Sequence, residues 1–587
     1  MRRLAAAIVA AAVPMCTLHA QNNQAGSTRP SSSRGRLPVA GCAGQKITNI
    51  VIITQPPYTD KLPPRFEFLR TWARAIHANT RDDVIRRYLL LKTGDVCNQI
   101  RRAESERILR AQPFLVDARI RVYDDEKGGV LLEVETRDEF SLIVEPVVSM
   151  ASPMFRGLRL GESNLAGGAQ LAAVDWRNGL AYNDVFGAEF ADYQFLGYRN
   201  ELRLMARRLQ HGQIMSGEIV RPYYTDFQRG AWIASTDGER NFAVFTRPDE
   251  APNAVNVSRK SAVVGAVGRI GSIRHLRLLG MSLTQLRAKV DSNTVVIGRD
   301  GFEEDVGTPL GVTFEEQDVV RVNALLGYRL LKFVPVQGFD ALTGTQDVRV
   351  GFQFSGAVGT SIVTPSSPDK DHFMAGGLYA GYGGPVSFLA AQVQGEARKD
   401  RSGKLWDNHV MSGRAAWYFR PAVRQLTQLS VEASSGEEMR RPFQLSFKDL
   451  DGGLMGYRNS TDVGAARVVF RAEQRMVIPS RLNVADLGIA GFAQLGKMWG
   501  EPTVPYSVET PWRGTIGFSL LGAFPPRSRR MWRVDFAFPT GGDPRSKFEL
   551  RLTNQDRTRT FWTEPSDVTG GRERTVPGSL FSWPVGR

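Results

Sequence analysis

The sequence has little of what metal centres and disulfide frameworks are made from: 3 cysteines and 6 histidines in 587 residues. That excludes a multi-metal site and a disulfide-dense mini-fold. It also lacks any uninterrupted apolar run of about 18 residues, which excludes a transmembrane α-helix. A transmembrane β-barrel is untouched by that absence, because its strands alternate apolar and polar residues. There is no Gly-x-Ser-x-Gly element. His77, His211, His275, His372 and His409 lie far apart, without metal-protease spacing. Gly491–Met498 approaches a phosphate-binding loop, but Met498 stands where a magnesium-binding Ser or Thr is required, and the segment alternates like a strand. The expectation is no catalysis, no cofactor and no metal.

What is present begins with a leader. Arg2 and Arg3 precede an apolar stretch, Leu4 to Val13, and cleavage is expected between Ala20 and Gln21. Cys16 reads as ordinary leader sequence. The chain has 75 Lys and Arg against 60 Asp and Glu. Removing residues 1–20 takes away two arginines, so the mature net charge is +13. On an exported protein this spread-out excess suggests lipid headgroups or polar peptides as partners, not nucleic acid. Residues 21–44 are rich in Ser, Gly, Asn and Arg and read as a disordered linker. Cys42 and Cys97 remain after export. They either bridge in the oxidising compartment, tying the first strand to the start of a helix, or stay as two buried thiols.

From residue 45 to 137 the pattern is α/β. Ile47 to Ile53 is a β-branched run. Thr80-Arg81-Asp82-Asp83 fits a capping box, and Val84, Ile85, Tyr88 and Leu91 follow at helical spacing. Gly94 ends that helix, and Asp95 is placed to cap a second, carrying Ile100, Ala103, Arg107 and Ile108. Two strands follow, Ala118 to Tyr123 and Val130 to Glu135, joined by a polar turn at Asp124 to Gly129. The predicted order is β-α-α-β-β, with an extra helix at about Arg65 to Ile76.

After Phe140 helical periodicity stops. Alternating stretches recur: Glu201–Arg207, Val348–Gly359, Leu487–Leu495, Arg533–Phe538 and Phe548–Leu552. Trp176, Tyr223, Tyr224, Trp232, Trp417, Tyr418, Trp499, Trp512 and Trp532 cluster near segment ends, as interfacial girdles do. Residues 141–562 suit one antiparallel transmembrane barrel: sixteen strands would leave about 26 residues per strand. Residues 563–587, rich in Gly, Pro, Thr and Arg, form a tail. Either the tail trails into the periplasm or the strand count is off near the end.

Eight stretches carry a family resemblance. Thr80–Arg87, Thr93–Asp95, Glu104–Arg110 and Phe114–Ala118 resemble a POTRA domain of the kind preceding barrels in the BamA/TamA outer-membrane assembly superfamily. Gly161–Gly168 resembles that superfamily's barrel entry. Asp451–Tyr457 resembles the tip of its lumen-folded loop, and Glu473–Arg475 with Phe492–Gly496 resemble the two wall strands receiving it. The resemblance implies a mainly β chain in the outer membrane of a Gram-negative bacterium: a periplasmic POTRA domain followed by a sixteen-stranded barrel.

The departures fall in the loop motif Gly453, Met455, Gly456, Tyr457 and Arg458. Met455 takes the family's Arg position, and Gln494 takes the Asp position on the wall. Losing both partners together avoids stranding a buried charge, which would cost about 3–5 kcal/mol, so the loop is expected to stay threaded. Either Arg458 reaches Glu473 instead, or Met455 packs on the wall and Arg458 faces water. The resemblance implies an assembly factor that pairs client strands at a barrel seam. Its partners would be outer-membrane lipids, unfolded barrel clients and a periplasmic or inner-membrane protein at the POTRA domain. A two-partner-type transporter of an exported polypeptide and a passive envelope barrel are the alternatives. A short seam favours assembly; a continuous open lumen favours the others.

Overall fold

The computed structural model describes residues 38–58, 64, 67–68, 71, 77–125, 128–148, 155–555 and 562–581, apart from 180–181, 249, 299–300, 306–309, 363–366, 368, 401–405, 449–450 and 480–483. The leader, the linker as far as residue 37 and most of the expected helix at Arg65–Ile76 lie outside the described residues.

The N-terminal unit contains β1 (Ala43–Gln55), α1 (Asp82–Tyr88), β2 (Val96–Asn98), α2 (Gln99–Arg110), β3 (Leu115–Asp124) and β4 (Val130–Asp138). The sheet order is β2-β1-β4-β3, with β1 and β4 parallel. The expected β-α-α-β-β order is present, with β2 added. Alternation on β3 and β4 buries Ile120, Val122, Val130, Leu132 and Val134, and the helical spacing on α1 buries Val84, Ile85 and Tyr88 against them.

Three local expectations are corrected. Thr80 does not cap α1, because both its backbone N–H and its hydroxyl donate to Asp138 at 2.8 Å. The cap of α2 is Asn98, whose Oδ1 accepts from the N–H groups of Ile100 and Arg101; Asp95 instead closes a turn by accepting from Lys92 N–H. The expected linker does not extend to residue 44. Ala40 N–H donates to Val122 O and Asp124 N–H to Pro38 O, so residues 38–40 line one end of the β3 edge. Cys42 and Cys97 are joined by a disulfide, with Cα atoms 5.1 Å apart.

The rest is a barrel. Its first strands are β5 (Leu142–Val148), β6 (Phe155–Glu162), β7 (Gln170–Arg177), β8 (Val185–Asp192), β9 (Glu201–Leu209), β10 (Gly212–Arg221), β11 (Gly230–Phe245), β12 (Asn253–Ser272) and β13 (His275–Ile297). A three-residue strand, β14 (Phe302–Glu304), extends the end of β13. The wall continues through β15 (Gln317–Gln337), β16 (Thr345–Ile362), β17 (Asp371–Gly383), β18 (Ser387–Asp400), β19 (Asp407–Ala422) and β20 (Gln425–Glu437). The small pair β21 (Leu445–Ser446) and β22 (Val463–Gly464) lies in a loop. The last strands are β23 (Ala466–Ile478), β24 (Asp486–Trp499), β25 (Arg513–Ala523), β26 (Met531–Pro539) and β27 (Glu549–Gln555). The strand order closes β27 against β5.

Twenty strands make the wall among the described residues, not sixteen. The residue allowance per strand was too generous, because β5 to β10 fit six strands of 7–10 residues into residues 142–221. The wall is also uneven in height. β13 has 23 residues, while β5 and β27 have 7 each.

Alternation gives this wall an inverted core. Val264, Met281, Leu283, Val358, Leu378, Leu389 and Ile516 point outward and are exposed. Arg321, Asn323, Gln353, Ser412 and Glu432 point inward and are buried. An apolar outside around a polar inside is the pattern of a barrel solvated by lipid. Among the described residues no helix is long and apolar enough to cross a membrane. Trp232, Trp417, Trp499 and Trp512 are exposed, as a girdle requires, but Tyr223, Tyr224 and Tyr418 are buried. Trp417 and Tyr418 are neighbours on one strand, so the period of two sends them to opposite faces.

Candidate functional site

The chemistry-bearing residues converge on the barrel lumen, which is capped at one mouth and filled within. The cap is the N-terminal unit. Its joint with the wall is the Gly161–Gly168 stretch at the β6–β7 turn. Asn164 Nδ2 donates to Thr80 Oγ1 at 2.8 Å, and Arg81 N–H donates to Gly167 O at 3.1 Å. Gly167 has φ +69°, and a Cβ there would sit 2.1 Å from Asn79 O, so this approach requires glycine. Asp138 is the hub of the joint. Besides both bonds from Thr80, it meets His77 Nε2 at 3.0 Å, and His77 Nδ1 meets Ser141 Oγ at 2.9 Å. The Ser-His-Asp order is that of a nucleophile triad, but Ser141 is buried in the joint, so these groups serve as structural hydrogen bonds. His77 is thus a joint residue, not one of five scattered surface or lumen histidines.

The Glu104–Arg110 stretch pairs charges along α2, as helix spacing allows, and it also docks the wall. Arg107 is held by Glu104, donates to Tyr224 O and lies over the Phe333 ring at 4.1 Å. Arg110 makes a two-pronged bond to Asp347, both at 2.9 Å. Elsewhere around the rim, Tyr88 hydroxyl donates to Tyr193 O, Tyr58 hydroxyl to Val484 O, and Ser528 hydroxyl to Glu139. Burial pushes the Tyr88 hydroxyl well above its ordinary pKa, so it stays a donor. The contacts reach turns from β6–β7 round to β25–β26, so the unit covers the mouth. Beside β3 a cleft of about 650 Å³ separates it from the β15–β16 and β25–β26 turns, lined by Arg119, Arg121 and Arg527.

From the opposite end the β20–β23 loop folds inward onto the wall. Phe447, Leu454 and Tyr457 pack with Val469 and Met498. The tip is held through its backbone. Met455 N–H donates to Gln494 Oε1 at 3.0 Å, Thr515 hydroxyl donates to Met455 O at 2.7 Å, and Gly456 N–H donates to Glu549 at 2.6 Å. Gly456 has φ +85°, and a Cβ there would press on Pro539 at 2.9 Å. Tyr457 hydroxyl donates to Gly514 O. Gln494 therefore receives the loop, but by a backbone bond. Glu473 does not: Arg533 and Arg475 hold it at 2.8 Å each, and Arg458 is exposed. Gly453 is buried, and its carbonyl accepts from Arg471.

The tail corrects the expectation that it trails from the barrel. Residues 562–581 neither trail into the periplasm nor extend the wall; they lie inside the lumen. A short helix, α3 (Ser566–Gly571), packs Val568 against Val410, Met439 and Phe443. Asp567 pairs with Arg467 on β23. Arg572 pairs with Glu564 at 2.7 Å and lies beside Glu396 on β18. Glu573 accepts from Arg321 and, at 2.7 Å, from Arg441, while Arg321 and Arg398 share Asp371. Leu580 and Phe581 end the described run against Ile233, Val263, Val267, Leu278 and Leu325. Burying two such side chains contributes about 1.5–3 kcal/mol each. Sequence reasoning missed the tail because its partners are hundreds of residues away. The available signal was Arg572-Glu573-Arg574 followed by Leu580-Phe581, charge and apolar bulk in a segment otherwise reading as disorder.

This fold and site define a filled membrane barrel with a docked α/β cap. Among solved structures, the chain is similar to BamA from Haemophilus ducreyi lacking POTRA domains 1–3: 12% identity, 86% of this chain and 83% of that one, TM-score 0.38. It is also similar to CdiB from Escherichia coli, with 10% identity, 87% and 75% coverage and TM-score 0.41, and to CdiB from Acinetobacter baumannii, with 9%, 87% and 73%, and 0.34. No family model matches the sequence, and no curated protein aligns with it significantly. Identities this low leave function to the chain's own geometry.

Proposed function

We propose that this chain is an outer-membrane barrel with a periplasmic POTRA-type cap, and that it assists insertion or assembly of other barrels by strand pairing at the β27–β5 seam. The observation that carries the reading is the seam. Apart from the three-residue β14, its two strands are the shortest in the wall, 7 residues each, so few backbone bonds can hold the closure there. A strand edge that opens at low cost is a template for a client strand. The β20–β23 loop and residues 562–581 occupy the lumen, so this reading rests on the seam and needs no path through the barrel. The 650 Å³ cleft beside β3, with Arg119, Arg121 and Arg527 on its lining, is the proposed contact for a periplasmic partner.

The test locks the seam. Asn554 Nδ2 donates to Glu145 Oε1 across it at 3.1 Å. The double variant Glu145→Cys, Asn554→Cys, in liposomes, is expected to lose client folding when oxidised and regain it on reduction. Wild-type protein with and without reductant controls for the Cys42–Cys97 bridge. Equal client folding by the locked and unlocked forms would overturn the proposal.

A further inference from the structure

We infer that the lumen wall is a polypeptide-binding groove, that residues 562–581 are its built-in occupant, and that this tail is a displaceable plug.

Three observations carry the inference. The first is how the tail is held. Among the described residues, its backbone-to-backbone hydrogen bonds are internal: Thr569 to Pro565, Gly578 to Val576, Leu580 to Pro577 and Phe581 to Gly578. The wall grips it through side chains, so the tail can leave without breaking a single strand ladder. The β20–β23 loop differs, being anchored in the wall at both ends.

The second is the chemistry of the groove. A water-filled lumen is polar, yet here Ile233, Val263, Val267, Leu278 and Leu325 form an apolar patch on its inner face, covered by Leu580 and Phe581. Above it Arg321 and Arg441 receive the Glu573 carboxylate. A patch for bulky apolar side chains and an arginine pair for a carboxylate eight residues upstream describe a site for a peptide segment that ends in a turn.

The third is backbone recognition. Arg329 and Gln353, both buried on the wall, donate to the carbonyl oxygen of Phe581. Arg259 donates to the carbonyl of Arg572 at 3.0 Å, and Glu396 accepts from the N–H of Glu573 at 2.9 Å. Wall side chains that read a main chain suit a polypeptide and no small solute.

The experiment compares the full chain with one ending at residue 561, both refolded into planar bilayers and checked for a folded barrel by heat-dependent gel mobility. The shortened chain is expected to show steady conductance severalfold above the full chain. A synthetic peptide of residues 562–581 is expected to bind it with affinity on the order of micromolar and to silence that conductance; a scrambled peptide is not. A full-length Glu573→Lys variant, which sets a cation against Arg321 and Arg441, is expected to expose the tail to protease and raise conductance. Unchanged conductance in both variants overturns the plug, and no peptide binding by the folded shortened chain overturns the groove. Failure of both variants to fold would make the tail a structural strut and overturn the proposal as well. These readouts are independent of client folding, so they stand apart from the seam experiment.

Discussion

Replacing Arg321 by methionine is expected to destabilise the filled barrel by about 3–5 kcal/mol. Arg321 is fully buried on β15 and serves two carboxylates, Asp371 on β17 and Glu573 in the tail. Methionine fills much of the same volume and supplies no charge. Asp371 keeps Arg398 and Glu573 keeps Arg441, which places the loss at the lower end of that range. A cycle with Glu573→Gln separates the contributions. Because the two groups are in contact, the double variant is expected to lose less than the sum of the singles. Urea unfolding in lipid, read by tryptophan fluorescence, measures it. Strict additivity would mean that Arg321 and Glu573 do not act as a pair.

The second large effect lies at the joint. Asp138→Ala is expected to loosen the cap from the barrel by about 3–5 kcal/mol, because it orphans buried donors on Thr80 and a bond to His77 at roughly 1–3 kcal/mol each. Thr80 then loses its fixed orientation for Asn164 Nδ2, the bond that carries the joint across to the β6–β7 turn. Asp138→Asn keeps one acceptor oxygen and is expected to recover part of the loss. Hydrogen exchange of residues 77–81 and 163–169 reads the joint directly. Exchange rates equal to wild type in Asp138→Ala would show that the cap is held by its other rim contacts.

How much was legible follows the range of the interactions. The cap could be read because its elements are local: a β-branched run for β1, helical spacing for Val84, Ile85 and Tyr88, and alternation for β3 and β4. Individual barrel strands were legible for the same reason, as Glu201–Arg207 and Leu487–Leu495 show. Their number was not, because alternation marks a strand but not the length of the turn beside it. Parity explains Tyr418, one residue from Trp417 and so on the opposite face, whereas Tyr223 and Tyr224 lie buried in the β10–β11 turn. The loop tip was placed correctly, but its grip was not. Met455 and Gly456 bond through the backbone, which leaves no trace in residue identity. The partners of Glu473 are Arg475, inside the Glu473–Arg475 stretch but not expected to pair with it, and Arg533, a strand arginine with no motif around it. The tail was least legible, since every residue that makes it a filling lies on β10 to β24 or in the β20–β23 loop.

The position of the tail also fixes an order of events. Its contacts come from strands spread round the circumference, so its berth does not exist until those strands are side by side. It follows every wall strand in the chain, so the wall-forming residues are already made when it is synthesised. No strand ladder holds it in its berth, so it leaves without unpairing the wall. The lumen of this barrel is therefore the last part of the molecule to be completed and the first that can be vacated.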